Sequence, residues 1–200
     1  MICDGAGMDY HCAVASCTKS ETIATVIKKI PNTAEPNICT TIFQALPKTG
    51  KMDEIIDKCT QLGVSRIVPV ITARCVAKPS DRDAKKIDRW QKIALAAASQ
   101  SQRGKVPIID KALSFSEALI QAKSYDTTFA CYEGEKHLLL RSYLQYATRI
   151  AFFVGPEGGF SNDEIAMFNT NGIATVSLGP RILRTELAGA VVLANLLEVL

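Results

Sequence analysis

Two hundred residues, 48% of them hydrophobic, with a net charge of +3, suit one well-packed domain with a small appendage. Seven dispersed cysteines without C-x-x-C spacing argue against a disulfide framework and against a zinc site, and no apolar run reaches the ~18 residues of a membrane span. The start, Met1-Ile2-Cys3-Asp4-Gly5, lacks a basic and apolar leader, so the expectation is a cytoplasmic protein with free thiols, no metal and no membrane.

Tyr10 to Thr18 and Glu21 to Ile30 read as strands, and Pro31 to Asn37 as a linker. This leading piece is too short to be an independent domain, and suggests the remnant of a larger β domain or a minimal version of one. Thr40–Leu46 is then a predicted strand and Lys51–Leu62 a helix ended by Gly63. Arg66–Thr72 is a strand, and Ala84–Gln102 a long helix ending at Gly104. Thr127–Tyr132 is a strand followed by a helix over Glu135–Ala147. Ile150–Val154 is a wholly apolar strand. Ser161–Asn171 is a helix opened by a capping box between Ser161 and Glu164, with Phe160 and Ile165 in the flanking staple positions. Ile173–Leu178 is the last strand, and Thr185–Leu200 a last helix, apolar nearly all round and so expected to be buried. Strands alternating with helices, two of them apolar on both faces, predict an α/β fold with a parallel sheet covered on both sides. In such sheets ligands sit at the carboxyl ends of the strands.

Two turns stand at such ends: Val154-Gly155-Pro156-Glu157-Gly158-Gly159-Phe160-Ser161, and Leu178-Gly179-Pro180-Arg181-Ile182-Leu183-Arg184-Thr185-Glu186. Familiar nucleotide loops do not fit. Thr49-Gly50-Lys51 lacks the first glycine and the Ser/Thr of a P-loop, and Gly155–Gly159 is not G-x-G-x-x-G. No G-x-S-x-G elbow is present, and two histidines, His11 in a strand and His137 on a surface helix, leave little for a hydrolytic triad. What remains is a close backbone approach to a ligand. The glycines permit it, Pro156 stiffens it, and Glu157 projects a carboxylate suited to a ribose hydroxyl or a cation. Thr185 and Glu186 read equally well as cap and first-turn acid of the last helix. Arg184 is harder to account for structurally, because it sits between apolar Leu183 and a helix start. Lys48 to Lys105 holds 13 Lys/Arg against 6 Asp/Glu, a net of +7. By charge alone this is equally a solvated helix face or a phosphate-facing patch.

V-G-P-E-G-G-F-S-x-x-E followed some twenty residues on by L-G-P-R-I-L-R-T-E resembles the 16S ribosomal RNA uridine-N3 methyltransferases (RsmE-like), within the SPOUT superfamily. Lys48-Thr49-Gly50-Lys51-Met52-Asp53-Glu54, Leu62-Gly63-Val64, Arg74, Trp90-Gln91-Lys92-Ile93 and the stretch from Gln100 to Pro107 support the resemblance. It covers about residues 38 to 200, while residues 1–35 resemble only the second half of the family's PUA-like barrel. Leu187 stands where the family usually has a threonine, and Gln61 where it often has glutamate.

The resemblance implies a SPOUT-type α/β domain over 37–200 with a deep trefoil knot in about 127–200, preceded at 1–36 by a partial, N-terminally shortened PUA-like β segment. It implies S-adenosylmethionine bound by Tyr132, Gly155, Pro156, Glu157, Gly158, Leu178, Gly179, Ile182, Leu183, Thr185 and Ala188. It also implies a homodimer, and 16S rRNA or the small ribosomal subunit as substrate. Uridine N3 carries a proton and is buried in any Watson–Crick pair, so the base must be unpaired or flipped and the N3 proton removed. Arg184 is the expected stabiliser of the anionic ring and Glu186 a candidate base. Lys48, Lys51, Arg74, Arg89 and Arg103 are the expected phosphate contacts. Two other readings stand beside this one: an RNA-binding or assembly factor that keeps the knot without activity, and a related SPOUT enzyme acting on tRNA.

Overall fold

The computed structural model describes residues 1–48, 50–75, 83–143 and 147–199. Two sheets organise the chain. The first is antiparallel and three-stranded, β1 (Ile2–Cys3), β2 (Met8–Cys17) and β3 (Thr22–Pro31) in that order. The β2–β3 turn is closed by Thr18, whose hydroxyl accepts from the Glu21 amide at 3.0 Å. Most side chains of the hairpin are exposed, Val14 and Ile27 among them. Its base is pinned to the rest of the molecule by Gly7 N–H to the Gly104 carbonyl at 2.8 Å and by Asn32 Nδ2 to the Gln102 carbonyl at 3.2 Å.

The second sheet contains β4 (Cys39–Ala45), β5 (Arg66–Ile71), β6 (Ile108–Ile109), β7 (Leu113–Ser114), β8 (Thr127–Cys131), β9 (Arg149–Val154) and β10 (Ala174–Val176). The order is β10-β8-β9-β4-β5-β6, with β7 beside β5, and every pairing is parallel. Alternation along a strand sends consecutive apolar residues to opposite faces, so a sheet covered on both sides needs apolar runs. Ile42 and Phe152 join one core, under α1 (Lys51–Gln61), α2 (Asp83–Gln100) and α6 (Thr185–Val199). Phe43 and Phe153 join the other, under α3 (Phe115–Ala122) and α5 (Asn162–Thr170). There the Phe43 and Phe153 rings stack with centroids 4.6 Å apart.

Three expectations are corrected. The helix predicted over Glu135–Ala147 is only α4 (Leu140–Tyr143), and residues 144–146 lie outside the described residues. Glu135 instead accepts from the amides of His137 (2.7 Å) and Leu138 (3.1 Å), which holds the chain in a turn and leaves His137 exposed but not helical. Between Gly104 and Thr127, where no element was expected, lie β6, β7 and α3; the last is opened by a capping box between Ser114 and Glu117. Finally, α6 is not buried all round. Leu193 and Leu196 are in the core, whereas Leu187 and Leu197 are exposed at 42% and 47%. Among the described residues no helix is long and apolar enough to cross a membrane.

Candidate active site

Register puts three strand ends level with one another. Val176 of β10 pairs with Cys131 of β8, and Ala130 pairs with Phe153 of β9. The loops leaving these ends enclose a cavity of about 510 Å³. All eleven residues expected to hold the cofactor, from Tyr132 to Ala188, line it, together with Arg181, Arg184 and Lys51. The strand alternation does the rest: burial pushes the Cys131 thiol up to about 12, so it meets the cavity as a neutral, apolar group.

The turn after β9 is rigid by construction. Gly159 N–H closes it onto the Pro156 carbonyl at 2.9 Å, and Gly159 has a φ of +67°, which disfavours a side chain. A Cβ on Gly155 would lie 3.3 Å from the Gly159 Cα, so the two glycines let the turn fold tightly on itself. The expected capping box follows: Ser161 Oγ accepts from the Glu164 amide (3.2 Å) and Glu164 Oε2 from the Ser161 amide (2.8 Å). The other oxygen of Glu164 accepts from the Ala73 amide at 2.8 Å, and Arg74 Nη1 donates to the Gly158 carbonyl at 2.7 Å. The turn is thereby fixed from outside by the loop that follows β5.

The loop after β10 is open. Gly179 has a φ of +112°, and Ile182 is 84% exposed. Its order returns at Arg184, whose carbonyl accepts from the amides of Leu187 and Ala188 and starts α6. Thr185 is therefore not the cap suggested by the sequence. As the first residue of α6 it donates its hydroxyl to the Gly155 carbonyl at 2.7 Å, and accepts from Gln44 Nε2 at 3.0 Å. Gln44 is fully buried in β4 and joins the two turns through this one hydroxyl. Sequence reasoning passed over Gln44; the signal was an amide in the otherwise apolar run Ile42-Phe43-Gln44-Ala45-Leu46, since a polar group buried there needs a partner.

Charge gathers on one side of the cavity. Lys51 Nζ stands 3.1 Å from Glu186 Oε2 and 3.4 Å from Glu157 Oε1. The Lys48 amide also reaches Glu157, at 3.1 Å. The Glu186 carboxyl is held below its ordinary range, first by its own amide at the helix start, against burial, and then by Lys51 and Arg184. For Glu157, burial pushes the carboxyl up but is outweighed by its own amide, the Lys48 amide and Lys51, so the net direction is down. Glu186 does not line the cavity; it is 91% buried by relative area behind it, and its low proton affinity and lysine partner suit an anchor better than a base. Arg184 Nη1 is 3.9 Å from Glu186 Oε1, and its side chain is 84% exposed at the rim.

The five expected phosphate contacts separate. Lys48 is exposed beside the cavity mouth. Arg74 is exposed but holds Gly158. Arg89, on α2, is exposed and paired with Asp53. Lys51 belongs to the cavity wall. Arg103 is a correction: 6% exposed, it donates to the Thr60 and Val64 carbonyls (3.0 and 2.6 Å) and pairs with Glu35 at 2.9 Å, so its guanidinium is turned inward. A lone buried guanidinium is costly, and this one is satisfied internally as a strut between α1, α2 and the linker.

A family model described as an RNA methyltransferase domain matches residues 34–197. The chain is 35% identical over 194 residues to ribosomal RNA small subunit methyltransferase E of Bacillus subtilis, covering 93% of this chain and 76% of that relative. It is 32% identical over 200 residues to the protein of the same name in Synechocystis, covering 98% of this chain and 64% of the relative. Among solved structures, ribosomal RNA small subunit methyltransferase E from Neisseria gonorrhoeae bound to S-adenosyl methionine aligns with a TM-score of 0.88 at 31% identity, over 96% of this chain and 79% of that one.

Proposed function

Because the chain belongs to the RNA methyltransferase family, we propose that it is an S-adenosylmethionine-dependent methyltransferase of small-subunit ribosomal RNA, acting on N3 of a uridine in 16S rRNA. The observation that carries this reading is the convergence of the two glycine turns and the β8 loop on one cavity at the strand carboxyl ends. The cavity suits the cofactor: backbone and apolar side chains such as Val154, Leu178 and Leu183 share its walls with charged Lys51, Glu157 and Arg184, and its tight Gly155–Gly159 turn permits close approach. When bound, the cofactor supplies an electrophilic sulfonium methyl group.

The chain's own residues bind and orient. The turn at 155–159 and the loop from Leu178 to Leu183 hold the cofactor, and Tyr132 and Ala188 close the wall between them. Arg184, exposed at the rim and 3.9 Å from its acidic neighbour, is available to neutralise the uracil ring as N3 loses its proton. Lys48, Arg74 and Arg89 contribute positive surface for phosphates. The leading three-stranded sheet is the PUA-like part, adding RNA-binding surface. The C-terminal chain is a trefoil knot. Its support is the crossing of β9 to β10 beyond β8, followed by the return of α6 onto α1 and β4, where a Cβ on Gly189 would lie 2.7 Å from Ile42 Cδ1. The exposed apolar side of α6, with Leu187 and Leu197, supports a homodimer, and ribosomal RNA as substrate supports a cytoplasmic place.

Transfer of labelled methyl groups to small subunits lacking the modification, followed by mapping of the methylated base, tests the reading. Product at uridine N3 is expected. Cofactor binding with no transfer to any RNA would favour a binding or assembly factor, and transfer to tRNA alone the related enzyme.

A further inference from the structure

We propose that Lys51 is a positioning residue of the active site: it neutralises Glu157 in the cavity wall and Glu186 behind it, and holds the two cofactor turns at a fixed separation. This rests on the methyltransferase reading above. Lys51 begins α1, yet its ammonium leaves that helix and bridges two carboxylates from different elements, at 3.4 and 3.1 Å. One carboxylate belongs to the turn after β9. The other belongs to the first turn of α6, two residues after Arg184. The end of β4 and the connection after it grip both places again, through Gln44 on Thr185 and the Lys48 amide on Glu157. A segment whose charge suggested RNA contact thus straps the cavity together.

The charge matters because of what the site must tolerate. Loss of the N3 proton to water leaves the uracil ring anionic. Glu157 in the cavity wall and Glu186 buried behind it oppose an anion formed in the cavity unless each has a cation. Arg184 is too far from Glu186, at 3.9 Å, to hydrogen-bond to it, so Lys51 is the cation that both carboxylates share. With Lys51 in place Arg184 can turn to the substrate; without it Glu186 competes for Arg184.

A phosphate contact and a positioning residue behave oppositely, so Lys51→Met, with Lys51→Arg beside it, distinguishes them. Three quantities are read: kcat for small subunits, RNA affinity by filter binding at two salt concentrations, and cofactor affinity by calorimetry. The expected result for Lys51→Met is a kcat lowered about tenfold, less than for a donor aimed at the reacting atoms. The cofactor should bind several-fold more weakly, RNA affinity and its salt slope should be unchanged, and Lys51→Arg should recover most of the loss. An unchanged kcat with weaker RNA binding and a shallower salt slope would overturn the inference. So would an equal loss in both variants. If Lys51→Met is not folded, Lys51→Gln is read by the same criteria. Failure of the wild-type protein to transfer methyl groups sinks the methyltransferase reading instead, and is seen before any variant is made.

Discussion

The two turns that meet in the cavity are built in opposite ways. Gly155–Gly159 is held by its own hydrogen bond, by Arg74, and by Glu164 reaching Ala73. In the loop from Leu178 to Arg184, Ser177 bonds to Gly179 at the start and the Arg184 carbonyl opens α6 at the end, while Ile182 and Arg184 are exposed. A preformed wall costs no ordering when a ligand arrives, whereas an open edge can close over a substrate. On the proposed reading both turns hold the cofactor: the first is the preformed wall, and the second is the adaptable one, which also carries Arg184 at the rim toward RNA. Thr185 and Lys51 are the places where they are joined.

The sharpest attempt to break this division is Arg184→Ala. Roughly a hundredfold loss of kcat is expected, with cofactor affinity unchanged by calorimetry. Weakened cofactor binding instead would give the Arg184 side chain a share in the cofactor cradle. Next in size is Gly159→Ala. A side chain at φ +67° costs about 1–2 kcal/mol, and its Cβ would press on the Glu133 carboxylate, so cofactor affinity should fall about tenfold. If affinity holds, the turn is less rigid than its hydrogen bonds imply. Thr185→Val removes the joint, leaves the Gly155 carbonyl without its hydroxyl donor and leaves Gln44 Nε2 with its bond to the Ala45 carbonyl only. A loss of about 1 kcal/mol in cofactor binding is expected, with a smaller effect from Gln44→Leu in which the amide itself is gone.

Acid gives a gentler probe. The Glu157 and Glu186 carboxyls lie below their ordinary 4.5 in the folded protein, so their contribution is complete above that value and is lost as pH falls through the depressed folded values. Cofactor affinity should be flat around neutrality and decline only below about pH 4.5, and less steeply in Glu157→Gln. An affinity that changes near pH 7 would point to another titrating group. Smallest of all is Ile182→Ala, for which cofactor affinity within about twofold of wild type is expected, since the side chain is 84% exposed.

Much of this was legible in the chain because it is local chemistry. The capping box at Ser161 and Glu164, the apolar runs of β4 and β9 and the glycines of both turns carry their geometry in adjacent residues. The helix misplaced over Glu135–Ala147 failed for an equally local reason, a carboxylate that binds its own backbone. The strands β6 and β7 are two residues each, too short to carry a period. Charge was the least informative signal. Arg103, Lys51 and Arg89 look alike in a basic stretch, yet one is a buried strut, one spans two carboxylates of the cavity, and one lies exposed on a helix.

By itself, then, the sequence determined the alternation of strands and helices, the parallel sheet and the pair of turns, because periodicity and glycine conformations are properties of short segments. Tertiary structure alone decided the order β10-β8-β9-β4-β5-β6, and with it which loops share a cavity. It also decided the partners of Gln44, Thr185, Lys51 and Glu186, which come from residues as far as 141 positions apart. A hydrogen bond or ion pair reaches about 3 Å, and no pattern in neighbouring residues records which distant group will stand that close.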